Sequence, residues 1–387
     1  MICHTPRPGK SYLTRDRALA PGRALVVDCR VLAREPKDGT TMNIAHGRLK
    51  GLVTRVFAAA GCHGAEAERV AHYLTESNLV GHDSHGVIRV PHYVRWLREE
   101  KVLANRSLKV VFENDAVAVT DGQFGFGQVM GEAAMRLGIA KATRAGVAVV
   151  ALRNSGHLGR IGDWAEMAAA AGKVSLHFVN TSGGGILVPP FGGTQRRLSA
   201  NPIAAGVPLP GGPPLIVDIS TSAIAEGKLK VAYNKGALVP DGCIIDARGR
   251  PTNDPKVFYA DPPGAILPFG GHKGYALGML CEVLAGALTG GGCSDPNEKR
   301  VANGMLSIVM DPALFRPDDG FDAEVRRFID FVRGSAPVAP GGEILVPGEP
   351  EARTRAKRLR DGLDLDETTW GQIVATCRSL EIDPDTV

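Results

Sequence analysis

The chain between residue 42 and about 103 has the hydrophobic spacing of amphipathic helices. Apolar residues recur at i, i+3 and i+4 and include Leu49, Leu52, Val53, Val56 and Phe57. Residues at this spacing lie on one face of a helix, and Gly61 ends the run. The pattern predicts a helix that begins at Met42, a second helix near 65–79 and a third through HYVRWLREEKV at 92–102.

The pattern then changes to short β-branched runs bounded by Gly, Asp and Asn. These runs are LKVVFE, AVAVTDG, GVAVVALRN, KVSLHFVNT, PPLIVDIS and MLSIVM. Such runs predict strands, and helical stretches at 131–146, 160–172 and 274–289 lie among them. Residues 199–270 are predicted to be strand and turn. The alternation predicts a mixed α/β (α+β) fold.

Helical patterns return near the end of the chain. One helix is expected near 322–334, a basic helix opens at PGE (347–349), and Asp366 is placed to cap the last helix. We predict four parts: an extension outside the fold (1–41), a helical segment (42–115), a mixed α/β cofactor-binding domain (116–320) and a helical segment (321–387). The two helical segments are expected to pack together as one discontinuous domain.

The net charge of +4 does not indicate a nucleic-acid partner. Residues 1–41 contain eight basic and four acidic residues, and this excess of four equals the net charge of the whole chain. The rest of the chain is therefore neutral. Seven scattered cysteines without a C-x-x-C pair indicate reduced thiols in a cytoplasmic protein. The most apolar stretch, 274–291, contains Glu282 and predicts a buried helix rather than a membrane span.

Three histidines lie within GHDSHGVIRVPHY at 81–93. A shared metal ion is one interpretation, but on a helix His85 and His92 would stand about 10 Å apart along the axis. Zinc ligands must converge at roughly 2 Å, so this pair cannot bind one ion. His82 and His85 lie closer, yet they have no further cluster of ligands nearby. The sequence therefore gives little support to a metal site.

The same stretch also fits acid–base chemistry. If a helix begins at Gly86, the side chains of His85 and Arg89 meet on one face. An imidazole can donate a proton near neutral pH, and a guanidinium binds a carboxylate with two parallel hydrogen bonds. Reduction of a 2-oxo acid needs both functions. In the alternative, purely structural interpretation, Ser84 caps the helix, Arg89 is solvated and His85 fills a loop.

Two Gly-rich stretches could bind a dinucleotide. RNSGHLGRIGDW at 153–164 joins a strand to a helix, whose N-terminus suits an anion, and His157 could hydrogen-bond a ribose or an amide. VAVTDGQFGFGQVMGEAAM at 117–135 lies close to the Rossmann fingerprint. However, four residues separate its strand from the first glycine of the fingerprint, and the next strand ends in Arg153 instead of an acid. We therefore expect no Rossmann site there.

Two further side chains stand at the ends of predicted elements. Asp218 follows the strand PLIV, where a carboxylate can orient a serine or a histidine. Lys273 lies where a Gly-rich turn enters a helix, and there it can reach a phosphate. The structural alternatives are a turn aspartate and a lysine at the helix end that the dipole disfavours.

These segments together resemble the type 2 malate/L-lactate dehydrogenase family, which also contains ureidoglycolate and sulfolactate dehydrogenases and piperideine-2-carboxylate reductases. The resemblance runs from about 42 to 380. Its blocks are GHDSHGVIRVPHYV, NSGHLGRIGDWAE, ANPIAAGVP, DISTSAIAEGK, GHKGYALGMLCEVL and VPGEPE. It implies a non-Rossmann NAD(P)-binding fold and an active site at the interface of a homodimer.

The resemblance also implies roles for individual residues. His85 would be the proton donor with Ser84 and Asp218 as its relay, and His157 is a competing candidate for the acid–base role. Arg89 and Thr181 would contact the substrate. The implied cofactor contacts are His157, Leu158, Gly159, Arg160, Ile161, Thr181, Asp218, Ile219, Ser220, Lys273, Pro347, Gly348 and Glu349.

The sequence thus predicts a cytoplasmic, NAD- or NADP-dependent 2-hydroxyacid dehydrogenase that acts as a 2-oxo acid reductase. Its expected partners are a small 2-oxo or 2-hydroxy acid and a second copy of the chain, without nucleic acid, membrane or metal. Three alternatives remain open: a cyclic imine-2-carboxylate reductase, a metal-dependent lyase or hydrolase that uses the histidines, and a nucleotide-binding protein without catalysis.

Overall fold

A seven-stranded sheet forms the centre of the described part of the chain. The computed structural model describes residues 41–384 apart from 210, 235 and 319, so all but the last residue of the predicted extension lies outside the described residues. The strands of this sheet are β2 (Lys109–Glu113), β3 (Val117–Asp121), β4 (Val147–Ser155), β5 (Val174–Ser182), β6 (Ile203–Val207), β7 (Leu215–Ile219) and β11 (Ala302–Met310).

The order of the strands is β2-β3-β4-β11-β5-β6-β7. Within the described residues β3 and β4 form the one parallel pair of this sheet, and the other neighbours are antiparallel. Strand β11 arrives late in the chain and pairs with both β4 and β5, so that Leu306 lies between Ala151 and Phe178. The fold is therefore a mixed α/β fold without the parallel, doubly wound sheet of a Rossmann domain, which confirms the predicted fold class.

Helices and two small sheets surround the large sheet. The helices are α1 (His46–Ala59), α2 (Gly64–Leu79), α3 (Val90–Arg98), α4 (Gly127–Ala145), α5 (Gly162–Ala170), α6 (Glu226–Asn234), α7 (His272–Cys281), α8 (Pro312–Phe315), α9 (Gly320–Arg333), α10 (Glu349–Asp361) and α11 (Glu367–Arg378). A π-helix, Glu282–Ala287, continues α7. The small sheets pair β1 (Thr41–Ile44) with β12 (Leu363–Asp366) and join β8 (Ile244–Ile245) to β9 (Pro251–Thr252) and β10 (Ala265–Ile266).

Three local predictions were wrong. Met42 does not begin a helix but lies in β1 opposite Leu365, because four residues gain a strand partner from the far end of the chain. Helix α4 begins at Gly127, four residues earlier than the periodicity predicts, and α6 forms within the predicted strand-and-turn region. The predicted cap of the last helix is confirmed, since Asp366 accepts a hydrogen bond from the backbone N–H of Thr369 at 2.9 Å.

The largest hydrophobic cluster contains both ends of the described chain. Ile44, Leu49 and Phe57 share it with Leu363 and Ile373. A second cluster lies between the large sheet and helices α4 and α5, and a third lies around β8 and α6. The division of the chain at 115/116 and 320/321 stays a prediction.

The apolar stretch at 274–291 is less buried than predicted. Its helical part buries Glu282 but exposes Met279, Leu280, Val283 and Leu288 on one side. The predicted buried helix is thus buried on part of its surface only, because an apolar composition does not show how many faces are covered. Across the described residues, no helix has both the length and the apolar character that a bilayer crossing requires.

Candidate active site

The histidine-rich stretch folds into two consecutive 3-10 turns, Asp83–His85 and Val87–Arg89, that lead into α3. The turn expected to be α-helical from Gly86 is thus a 3-10 turn, which is wound more tightly. Asn78, at the end of α2, holds both turns: its Nδ2 donates to Asp83 Oδ1 at 2.6 Å and its Oδ1 accepts from the backbone N–H of Val87 at 2.8 Å. A Cβ at Gly86 would lie 2.2 Å from Asn78 Oδ1, so only glycine allows this approach.

Helix α10, from the other end of the chain, supports the same turns. Arg358 donates from Nη1 and Nη2 to the two carboxylate oxygens of Asp83, at 2.7 and 3.1 Å, and also to the carbonyl of Asn78. His82 Nε2 lies 3.7 Å from the carboxylate of Glu351, which is also on α10. Helix α10 therefore orients the turn that carries His85 and Arg89.

We expect Asn78→Ala to lower the free energy of unfolding by about 1–3 kcal/mol, because it leaves the buried N–H of Val87 without an acceptor. Denaturant unfolding followed by circular dichroism measures this change. Asn253→Ala is the matched control, since its amide makes one hydrogen bond, to Asp241, at the surface. An equal, small effect of both substitutions would show that Asn78 does not support the turn.

The Arg89 guanidinium is only partly satisfied by the protein. Its Nε donates to the carbonyl of Ser84 at 2.7 Å. Among the described residues no carboxylate pairs with Arg89, and no acceptor bonds to Nη1 or Nη2, although the side chain is half-buried. A half-buried cation without an anion is a favourable site for a carboxylate, which the two Nη groups can bind in parallel.

His85 and His157 lie face to face. Their ring centroids are 5.6 Å apart, and their planes differ by 4°. The hydroxyl of Ser84 lies 3.2 Å from His85 Nδ1. The structure thus brings together Ser84, His85, Arg89 and His157, four residues from two separate stretches of the sequence.

Both rings are held in the neutral form in the ligand-free protein. Burial, with the positive charge of Arg89 added, lowers the pKa of His85 well below its usual value. The same two causes, in the same order, lower the pKa of His157 to about 3. An anion bound to Arg89 would offset the positive charge of Arg89 and so raise the pKa of both rings.

The sequence analysis missed two residues that contact His157. The hydroxyl of Tyr93, on α3, lies 2.7 Å from His157 Nδ1, and Gln128, on α4, donates from Nε2 to the same hydroxyl at 3.1 Å. Tyr93 stands one helical turn after Arg89, a spacing that could have drawn attention to it. Gln128 carries no such signal, because it lies in the Gly-rich stretch that resembles a Rossmann fingerprint.

A third missed residue connects the turn after β4 to strand β5. Asn303, on β11, accepts from the backbone N–H of Leu158 at 2.8 Å and donates to Thr181 Oγ1 at 2.9 Å. The Thr181 hydroxyl keeps its own proton for another acceptor. Gly159 adopts a positive φ of +74° next to Leu158. Asn303 thereby fixes the relative positions of two predicted cofactor contacts, Leu158 and Thr181.

Arg160 and Asp218 lie together but apart from the proposed relay. Arg160 is 2% exposed and bonds to Asp163 at 2.7 Å and to Glu166, and its Nε lies 3.9 Å from Asp218. Asp218 accepts from the backbone N–H of Gly162 at 2.8 Å. Burial raises the pKa of Asp218 and of Asp163, against the charge of Arg160.

No hydrogen bond joins Asp218 to Ser84 or His85 within the described residues, so its relay role stays a prediction. The guanidinium of Arg160 faces acids of its own chain, and Arg153 likewise pairs with Asp121 at 3.0 Å. The role of Arg160 as a cofactor contact stays a prediction.

The other predicted cofactor residues lie along or near the edge strand β7. Asp218 and Ile219 end this strand and Ser220 follows it, and Ile219 is exposed. The turn before Lys273 is bonded to the segment that follows β7. The backbone N–H of Phe269, in this turn, donates to the carbonyl of Thr221 at 3.0 Å.

At the start of β7, Ile216 donates to the carbonyl of Pro347 at 3.1 Å. Ile216 and Gly348 line a groove of about 540 Å³. Glu349 accepts from Arg333 and from the backbone N–H of Val346, at 2.7 Å in the second case.

The second Gly-rich stretch packs closely against the first. A Cβ at Gly127, the first residue of α4, would lie 2.2 Å from the carbonyl oxygen of His157. The backbone N–H of Gly156 donates to the carbonyl of Gly125 at 2.8 Å. The glycines of this stretch thus permit contact with the turn that carries His157.

The histidine cluster does not form a metal site in the described part of the chain, where no three His, Cys, Asp or Glu side chains are close enough to hold an ion. His82 faces Glu351, whereas His85 faces His157. The geometry thus gives no support to the metal-dependent alternative.

Comparison with known proteins identifies the family. A family model described as malate/L-lactate dehydrogenase matches residues 44–374. The chain is 42% identical over 344 residues to hydroxycarboxylate dehydrogenase B of Escherichia coli strain K12, covering 88% of this chain and 94% of that protein.

Two further relatives show the range of the family. The structure of sulfolactate dehydrogenase from Methanocaldococcus jannaschii superposes with a TM-score of 0.79 at 35% identity, covering 89% and 99% of the two chains. A Δ1-pyrroline-2-carboxylate/Δ1-piperideine-2-carboxylate reductase of Pseudomonas putida is 34% identical over 339 residues, which are 86% of this chain and 96% of that protein. With the fold and the family model in agreement, the chain belongs to the malate/L-lactate dehydrogenase family.

Proposed function

We propose that this protein is a nicotinamide-dependent 2-hydroxyacid dehydrogenase that acts as a 2-oxo acid reductase. Its family makes it an oxidoreductase, and the relatives named above act on hydroxy acids or imine carboxylates. The observation that carries the proposal is the half-buried Arg89, whose two Nη groups have no partner among the described residues and which lies beside two neutral imidazoles. This arrangement suits a substrate with a carboxylate next to a reducible carbon.

In the proposed reaction, Arg89 holds the carboxylate through Nη1 and Nη2. The adjacent carbonyl then lies near His85, whose Nε2 donates the proton that its oxygen needs as the carbon is reduced. His85 Nδ1 faces the Ser84 hydroxyl, which can accept a hydrogen bond while the ring is charged. A bound nicotinamide cofactor supplies the hydride to the carbonyl carbon.

The residues present fit such a cofactor. Lys273 is exposed and stands at the start of α7, and its side chain makes no hydrogen bond or ion pair with another described residue, so its ammonium group can bind a phosphate. The Thr181 hydroxyl is a polar group that can meet an amide or a ribose, and His157 Nε2 is a second candidate for this contact if it does not bind the substrate. The roles of Leu158, Gly159, Arg160, Ile161, Asp218, Ile219, Ser220 and Pro347–Glu349 as cofactor contacts belong to the same proposal, and the cofactor is either NAD or NADP.

Reduction of a cyclic imine-2-carboxylate is a second candidate, favoured by the similarity to the Pseudomonas putida reductase. Such a substrate has the same carboxylate next to a C=N bond, so Arg89 and His85 would serve it equally. A cytoplasmic location and a homodimer complete the proposal; the apolar side of α7 and its π-helix is a surface that a second copy could cover.

A substrate panel tests the proposal. Purified protein is mixed with NADH or NADPH and with aliphatic, acidic and aromatic 2-oxo acids or cyclic imine-2-carboxylates, and cofactor absorbance is followed. We expect oxidation of one cofactor with at least one 2-oxo acid, and a slower or absent reaction with the corresponding 2-oxo amide. Turnover of imines alone would favour the second candidate. Binding of NADH without turnover of any carboxylate would contradict both.

A further inference from the structure

The two stacked histidines differ in what their Nδ1 atoms face. His85 Nδ1 faces the Ser84 hydroxyl, for which no other hydrogen-bond partner exists among the described residues. His157 Nδ1 faces the Tyr93 hydroxyl, which already accepts a hydrogen bond from Gln128 Nε2. This difference decides which ring can carry a second proton.

The bonds around Tyr93 run in one direction when Nε2 of the Gln128 amide faces the hydroxyl, as it does in the structure, where Gln128 Oε1 is buried without a partner among the described residues. Tyr93 is 1% exposed, so its hydroxyl proton needs an acceptor inside the protein. Gln128 Nε2 donates to the hydroxyl oxygen, and His157 Nδ1 is the acceptor within reach of the hydroxyl proton. The proton of a neutral imidazole is then on the other nitrogen.

We infer that Tyr93 and Gln128 fix His157 as the neutral Nε2–H tautomer, so that His157 is a hydrogen-bond donor to the bound substrate and His85 alone exchanges the proton. The catalytic role of His157 rests on the proposed function. The tautomer of His157 does not depend on it. It decides between the two histidines that the sequence left in competition.

An imidazolium at His157 would disrupt this chain of hydrogen bonds. Nδ1 would become a donor, Tyr93 would receive hydrogen bonds from both sides, and its own buried proton would lose its acceptor. A buried donor without a partner destabilises the protein. At His85 a second proton carries no such penalty, because the Ser84 hydroxyl can rotate from donor to acceptor.

The charged and titratable groups around His157 act in the same direction. Arg89 contributes a positive charge from the turn before α3, His85 stacks on one face of the ring, and Tyr93 approaches its edge at a centroid distance of 6.1 Å. Among the described residues none of the groups that perturb the ring is a carboxylate, so nothing there stabilises an imidazolium.

His157 Nε2 is not among the buried polar atoms that lack a partner, and no described residue bonds to it, so it opens into the site. From there it can donate to the carbonyl oxygen that becomes negative during reduction. Such a donor stabilises developing charge without giving up its proton. Tyr93 and Gln128 are positioning residues that act through this ring.

The tautomer is tested with the whole protein labelled with 15N-histidine. Long-range proton–nitrogen spectra separate Nδ1–H, Nε2–H and doubly protonated rings, and the absent signal in His157→Gln identifies the ring. We expect an Nε2–H signal in the ligand-free protein from pH 5.5 to 9, and a mixture of tautomers in Tyr93→Phe. An Nδ1–H signal in the wild type, or an imidazolium near neutral pH, would overturn the inference whether or not the protein is an enzyme.

Kinetics test the role in the proposed reaction. His157→Gln keeps an N–H donor and should lower kcat about tenfold, whereas His157→Leu should lower it 10²–10³-fold, the loss expected for one such donor. The pH dependence of kcat should be the same in His157→Gln as in the wild type. Equal losses in the two variants, with a missing ionisation in the profile, would make His157 the proton donor instead.

Tyr93→Phe should lower kcat by about 10- to 100-fold, as is usual for a residue that orients a catalytic ligand or ring. Tyr73→Phe is the matched control: it also removes a tyrosine hydroxyl bonded inside the fold, to Glu132 at 3.0 Å, but Tyr73 makes no hydrogen bond or ring contact with His85 or His157. We expect less than a twofold change in kcat for this control. Similar losses of kcat in both variants would show that Tyr93 only stabilises the fold and does not position His157.

Discussion

Arg89→Met is expected to lower kcat/KM for a 2-oxo acid about 10³-fold, or about 4 kcal/mol of transition-state stabilisation. The reason is that both oxygens of the substrate carboxylate lose a charge-assisted hydrogen bond from Arg89 in a half-buried site. Arg89→Lys keeps the charge but not the planar pair of donors, so we expect it to recover only part of the loss. Steady-state rates with saturating cofactor measure both effects.

The substrate amide separates binding from folding. Arg89 Nε also bonds to the carbonyl of Ser84, so its removal loosens the turn. The amide of the 2-oxo acid lacks the negative charge and should lose only the part that comes from this loosening. Arg95→Met, on the exposed side of α3 where the side chain is 59% exposed, is the matched control and should change either rate less than twofold. Equal losses with acid and amide would show that Arg89 is structural.

His85→Asn is expected to lower kcat for oxo acid reduction by 10²–10⁴-fold while it leaves the affinity for the nicotinamide cofactor within a fewfold of the wild type. The substitution removes the group that protonates the carbonyl oxygen. His63→Gln, an exposed histidine at the start of α2, is the control and should be as active as the wild type. Rapid-mixing measurements of a single turnover assign the loss to the chemical step. An unchanged single-turnover rate would exclude His85 as the proton donor.

The pKa of His85 also predicts how substrate binding depends on pH. Burial and the charge of Arg89 lower this pKa in the ligand-free protein, so the ring is neutral at pH 7. A carboxylate on Arg89 supplies a negative charge and raises the pKa. Because the complex then binds more protons than the free protein, the affinity for an oxo acid analogue should rise as the pH falls. In His85→Asn this pH dependence should disappear.

Sequence spacing predicted the part of the site that lies within one turn of chain. Ser84, His85 and Arg89 are close in the sequence, and local backbone geometry, whether helical or 3-10, keeps them close in space. Tyr93 could have been recognised by the same spacing. Gln128 and Asn303 could not, because they arrive on α4 and β11 through the packing of the large sheet, which a single sequence does not specify.

The sequence did not show which neighbours surround Arg160, a residue that the resemblance assigns to the cofactor. Its guanidinium pairs with Asp163 and Glu166, three and six residues further along the chain, while its Nε is buried without a hydrogen-bond partner among the described residues. Its role as a cofactor contact stays a prediction. Strand β1 was missed because four residues give too short a pattern to outweigh the helical periodicity that follows.

The most direct test of the central claim is a calorimetric titration of the cofactor-loaded protein with oxamate, a non-reactive 2-oxo acid analogue, in buffers that differ in ionisation enthalpy. The structure predicts uptake of close to one proton per site at pH 7 in the wild type, no uptake in His85→Asn, and a large loss of affinity in Arg89→Met. Binding of oxamate without proton uptake in the wild type, or with equal affinity in Arg89→Met, would contradict the claim that Arg89 holds the carboxylate while His85 protonates the substrate.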